Sequence, residues 1–226
     1  MIFGMWDSVF FKIGPIPVDH LVVTEWVIIL LIGVVAFFAT RSMSVVPRGL
    51  QNAFEAIVVW TYEFFTQLME KEHVAKKWAP LLSTFFLFIL VSNLSGLLPG
   101  AAHIQGFQPP TSNWAVTMTL ALISIIAVQI AGFSEQKSHY WGHFVSPSWA
   151  MLPLNLLEQI ARPMSLTIRL FGNIFGKEVI MGFLLFMAPF FVPAIFMGLA
   201  VLLSFIQAIV FTILSASYIA GATEGH

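Results

Sequence analysis

The sequence predicts an all-α polytopic membrane protein, with about five membrane-embedded helices and one amphipathic helix at the interface. Two observations carry that reading. Of the 226 residues, 58% are hydrophobic and only 9% charged, against roughly 25% charged in a soluble domain. The coat of Lys and Glu that water demands is missing, so lipid must be the outer solvent. The apolar residues also gather into long runs of the length that crosses a hydrocarbon core as helix, about 20 residues.

The elements follow in order within a single membrane domain, 1–226. Residues 1–20 form an outer N-terminal segment, and 21–40 the first span. Residues 48–71 are too polar to cross, with Glu55, Glu63 and Glu70 interrupting them. Phe54, Ile57, Val58, Phe65 and Leu68 recur at helical spacing there, which predicts a helix lying along the cytoplasmic interface. Spans two and three cover 79–98 and 114–133. The region 151–222 is apolar almost throughout and is broken only near Ala188-Pro189 and Val192-Pro193, so it reads as two long helices in a hairpin. Basic residues cluster between spans one and two and are absent from 99–113, which places the N-terminus outside and the C-terminus in the cytoplasm. The N-terminus lacks both a basic signal region and a transit peptide, which favours a bacterial plasma membrane.

Composition also excludes functions. A net charge of −1 gives nucleic acid no bulk attraction, and the absence of cysteine removes disulfides, thiolate metal sites and a cysteine nucleophile. No Walker loop, His-Glu-x-x-His or Gly-x-Ser-x-Gly is present, so nucleotide chemistry cannot reside in this chain. His139 and His143 have the spacing of two metal ligands on a helix but no third ligand nearby, and interfacial anchoring explains them better. No metal and no cofactor is expected.

Charges inside spans mark function by default. Glu25 is the one charge in the first three spans. The first helix of the hairpin carries Glu158, Arg162, Arg169, Lys177 and Glu178, and the second is uncharged. At about 100° per residue, Glu158, Arg162, Ser165, Arg169 and Asn173 form one stripe, with Gly172 and Gly176 beside it. Glu178 falls on the opposite side of the helix from Arg169, about 13–14 Å away along the axis. Part of the stripe has simple readings: Glu158 and Arg162 can pair as i,i+4 neighbours, and Gly172-x-x-x-Gly176 can be a packing surface. Arg169 resists both, because it has no acid one turn away and cannot lose its proton. In the last helix Ser204, Gln207, Phe211, Ser215 and Tyr218 share a face, which suits a hydrated path or interhelical hydrogen bonds. A self-contained secondary transporter with an Arg–Glu site, and a scaffold whose Arg169 docks a partner's acid, both fit these charges.

Pro163-Met-Ser-Leu-Thr-Ile-Arg169-Leu-Phe-Gly-Asn173-Ile-Phe-Gly-Lys-Glu178 resembles the signature of the a subunit of F-type ATP synthases. Ile206-Gln207-Ala-Ile-Val-Phe-Thr-Ile-Leu resembles that family's second signature. Pro47-Arg-Gly-Leu-Gln-Asn, Phe88-Ile-Leu-Val-Ser-Asn-Leu-Ser-Gly-Leu-Leu-Pro99 and Leu152-Pro-Leu-Asn-Leu-Leu-Glu158 add to the resemblance in family order. The resemblance implies a non-catalytic, ion-conducting stator whose last two helices lie long and tilted against a ring of c subunits. It further implies b subunits of the peripheral stalk and the rest of the synthase as partners. Two offset half-channels would load and unload the ring carboxylates with protons or sodium. By the same resemblance Arg169 is the barrier facing the ring carboxylate, Glu178 and Gln207 belong to the outer ion path, Asn173 stands near the arginine and Glu158 lies toward the cytoplasmic exit. Asn113, Ser204, Ser215, His103 and Glu25 are weaker candidates. One departure is Ala200, where many bacterial relatives carry a histidine. Ala115 is another, since the segment Pro110-Thr-Ser-Asn113-Trp-Ala115 often holds an acidic residue in the family.

Overall fold

The structure is a computed structural model that describes residues 9–13, 16–41, 49–69, 71–98, 108–136, 152–187 and 191–223. Six α-helices make up nearly all of the described residues. An antiparallel hairpin, β1 (Val9–Ile13) and β2 (Ile16–Asp19), precedes them, with Val9 opposite Asp19 and Ile13 opposite Ile16. A two-stranded ribbon this short is marginal alone, so it is an appendage to the bundle.

Helix α1 (His20–Thr40) returns its threonine hydroxyls to its own backbone, Thr24 Oγ1 to His20 O at 3.0 Å and Thr40 Oγ1 to Ala36 O at 2.8 Å. Neither donor is then left bare toward lipid. Gly49, at φ 60°, leads into α2 (Leu50–Leu68), a left-handed backbone that glycine adopts at little cost. Thr61 and Phe65 of α2 are buried while Glu55 and Glu63 are exposed, so the helix is amphipathic. A Thr61–Ser83 hydroxyl bond of 2.9 Å, with the Trp60 and Phe86 rings 5.7 Å apart, fastens it to α3 (Glu72–Ser95).

Helix α3 starts ahead of the expected span because its charged first turn is stabilised within itself, Lys76 Nζ lying 2.6 Å from Glu72 Oε1. Just past its end, a Cβ on Gly96 would stand 3.0 Å from Pro109 Cγ, so the bare glycine lets the following segment close onto the helix. A single 3-10 turn (Pro110–Ser112) leads into α4 (Trp114–Gln136), capped by Asn113, whose Oδ1 accepts from the Ala115 N–H at 2.7 Å.

The last two helices are α5 (Leu152–Met187), 36 residues, and α6 (Phe191–Thr223), 33 residues. At 1.5 Å per residue these are about 50 Å long. A hydrocarbon core is about 30 Å thick, so each must tilt or leave the bilayer. Helix α6 lies at the centre, against α3, α4 and α5. Phe211 and Phe85 meet edge to face at 5.7 Å, and Phe211, Leu82, Ile89, Leu166 and Leu170 belong to one buried cluster. Around this core Trp26, Leu30 and Phe37 of α1, Phe183 and Phe186 of α5, and Phe191 and Ile195 of α6 are exposed. Five helices, all but α2, are long and apolar enough to cross a membrane, and apolar side chains facing outward are what lipid requires.

Candidate functional site

Helix α5 buries Leu166, Leu170 and Ile174 against the bundle and leaves its polar residues on the flanks. Arg169 is exposed on one flank, and Glu178 is exposed about half a turn round the helix. Among the described residues Arg169 makes no hydrogen bond and no ion pair. A guanidinium keeps its charge at any accessible pH, so it needs water or an anion outside these residues. Beside it, a Cβ on Gly172 or on Gly176 would meet nothing within 4 Å. The flank is cationic and smooth enough for close approach of another helix.

The side of α5 that meets α6 is polar in steps. Asn173 Nδ2 donates to Gln207 Oε1 at 3.4 Å, and one turn further Lys177 Nζ donates to Ser204 Oγ at 3.0 Å. Ser204 Oγ in turn donates to the Ala200 carbonyl at 2.7 Å. Gln207 is only 6% exposed, and its Nε2 has no partner among the described residues. Lys177, at 8% exposed, is a buried cation with one hydrogen bond where three donors want partners. Sequence periodicity left Lys177 without a place. The signal was its position one turn beyond Asn173, matched by Ser204 one turn before Gln207.

Toward the other end of α5, Arg162 Nη2 donates to Glu158 Oε1 at 2.7 Å, and the guanidinium lies 5.1 Å from the centre of the Tyr218 ring. Glu158 therefore sits exposed in a local pair, with Arg162 half-buried behind it. Ser215 accepts from Ser124 Oγ at 2.8 Å and donates to the Phe211 carbonyl at 3.0 Å, so the hydrogen-bonding reading of the α6 face accounts for it. Gln129 Nε2 donates to Gln159 Oε1 at 3.0 Å at a further α4–α5 contact.

The remaining candidates are scattered. Asn113 caps α4, and Glu25 is half-exposed on α1 at the edge of the bundle. His103, His139 and His143 lie outside the described residues. A second polar cluster joins the end of α3 to the 3-10 turn, where Thr111 Oγ1 donates to Asn93 Oδ1 at 2.8 Å. Ser92 Oγ, Asn93 Nδ2 and Ser112 Oγ are buried there without partners among the described residues. Such atoms demand water. These residues belong to motifs already quoted, but only the fold brings them together.

The arrangement holds a fixed positive charge on an open flank, a carboxylate on the opposite flank, and buried polar pairs on either side of that level. Chemically it offers an anionic partner a fixed cation at Arg169 and a series of polar groups between α5 and α6. The model of the ATP synthase A chain family matches residues 22–220. The proteins named ATP synthase subunit a from Moorella thermoacetica and Trichlorobacter lovleyi are 40% and 39% identical, over 217 and 207 residues. These alignments cover 96% of both chains in the first case, and 90% of this chain and 86% of the relative in the second. The namesake from Geobacter sulfurreducens is 38% identical over 88% of this chain and 85% of its own. The chain belongs to the ATP synthase A chain family, the membrane-embedded a subunits of F-type ATP synthases.

Proposed function

We propose that this subunit is the ion-translocating stator of the membrane sector, with two offset half-channels that exchange protons or sodium with the carboxylates of a c-subunit ring. The observation that carries the reading is Arg169, exposed, unpaired among the described residues and flanked by open glycines. A ring carboxylate arriving beside a permanent cation is held ionised, so it must give up its ion before passing. The same charge repels a cation leaking directly between half-channels. Each elementary charge moved across the membrane yields about 2.3 kcal/mol per 100 mV, so leakage drains the coupling.

Glu178, Gln207 and Asn173 line the outer half-path in this reading, with Ser204 and Lys177 next to them. Glu158 opens toward the cytoplasm, with the N-terminus outside and the C-terminus inside, in a bacterial plasma membrane. The b subunits of the peripheral stalk and lipid cover the apolar faces away from the ring. The cysteine-free sequence makes a direct test simple. A single cysteine at Gly172 should oxidise to one placed on the ring's outer helix at the level of its carboxylate, in the assembled complex. A cysteine at Met164, exposed on another part of α5, serves as the comparison. Cross-linking at Gly172 but not at Met164 is expected, and failure at Gly172 in an assembled complex would remove the ring from this flank.

A further inference from the structure

The side-chain pairs between α5 and α6 keep one antiparallel register. Lys177 meets Ser204, Asn173 meets Gln207, and further along Arg162 meets Tyr218. Arg169 comes four residues before Asn173, and Phe211 four residues after Gln207. The same two positions lie seven residues short of Arg162 and Tyr218. Phe211 therefore stands at the level of Arg169, on the inner side of the hairpin.

That level is lined by apolar side chains, and its buried hydroxyls, Thr167 and Thr212, return to the Pro163 and Ala208 carbonyls of their own helices at 2.8 Å. Phe211 is 0% exposed, its ring meets Phe85 of α3 edge-on at 5.7 Å and 86°, and it shares a buried cluster with Leu166 and Leu170. On one side of it lie Asn173–Gln207 and Lys177–Ser204, with Gln207 Nε2 still lacking a partner among the described residues. On the other lie Ser124–Ser215 and Arg162–Tyr218, with Arg162 Nε buried and likewise unpartnered. Unpaired buried polar atoms draw water, so both zones have reason to be wet. A phenyl ring offers no hydrogen-bonding atom to continue a chain of waters, and an apolar constriction empties itself of water.

We propose that Phe211, backed by Phe85, is an internal septum that separates the two hydrated zones within the stator. The inference rests on the half-channel reading above and divides the insulation in two. Arg169 guards the open flank toward the ring. Arg169 is exposed at this level, whereas Phe211 is buried there and closes the interior route.

The test measures passive proton leak, without nucleotide, in proteoliposomes holding the assembled complex, after a carbodiimide has blocked the ring carboxylates. Transport through the ring is then silent, and what remains reports the interior. Phe211→Gln should raise this leak several-fold over wild type, whereas Phe211→Leu should stay tight. Wild-type leak in assembled Phe211→Gln overturns the septum, and so does equal leak from Phe211→Leu, which would indicate damaged packing. Should Phe211→Gln fail to assemble, Phe85→Thr approaches the same contact from α3, and a tight bilayer there overturns the proposal equally. Failure of the underlying half-channel reading registers separately, as unchanged ATP-driven pumping in Arg169→Ala.

Discussion

Lys177 Nζ donates to Ser204 Oγ at 3.0 Å across the α5–α6 interface, and the Ser204 hydroxyl in turn donates to the Ala200 carbonyl at 2.7 Å. A buried ammonium is thus attached to the backbone of the neighbouring helix through a single hydroxyl. Removing that hydroxyl leaves the buried ammonium with no hydrogen-bond partner among the described residues, whereas removing the charge leaves only a satisfied serine.

The two substitutions should therefore be unequal. Ser204→Ala should cost about 1–3 kcal/mol, the penalty of an unsatisfied buried donor. In a Lys177→Met background the same change should be close to neutral, because no cation remains to desert. A double-mutant cycle on the thermal denaturation of the detergent-solubilised complex measures the difference. Equal costs in both backgrounds would show that the two side chains are not coupled.

Gln207 leads to a second expectation. Its Oε1 accepts from Asn173, while its buried Nε2 has no partner among the described residues. A high-resolution experimental structure should show an ordered water within about 3 Å of that nitrogen. Gln207→Leu should lower the rate of ATP-driven pumping without lowering ATP hydrolysis by the detached catalytic sector. A dry Nε2, or pumping unaffected by the substitution, would take Gln207 out of the ion path.

The glycine flank can be tested by bulk alone. Because a Cβ at Gly172 or Gly176 would meet nothing within 4 Å, Gly172→Leu and Gly176→Leu should leave the subunit's own fold intact. Leucine is also a better helix former than glycine. The damage should fall on association with the ring, read as loss of ring subunits from the affinity-purified complex. Full retention of the ring in both variants would mean that no helix packs there.

Much of this was legible in the sequence because the bilayer leaves so few options. Apolar runs must be helices, and a membrane arginine must have a use, so the spans and Arg169 emerge from chemistry alone. The start of α3 was misplaced for a physical reason: Glu72 and Lys76 look like a solvated loop until one sees that they pair with each other. Lys177, Phe211 and the Asn93–Thr111 contact were not readable. Periodicity assigns each residue to a face of its own helix but says nothing of how far α5 slides along α6, and that register decides what faces what. The β1–β2 hairpin is held by backbone pairing, to which a hydropathy reading is blind.

One measurement tests the role of Arg169 most directly. Proteoliposomes holding the complete synthase, wild type or Arg169→Ala, would be compared for ATP-driven cation pumping and, with no ATP present, for passive leak, after confirming equal assembly. The barrier role requires that pumping be lost and leak rise in Arg169→Ala, since the charge assigned to insulate the open flank has gone. Coupled pumping at the wild-type rate in an assembled Arg169→Ala complex would contradict it and reduce Arg169 to a docking residue.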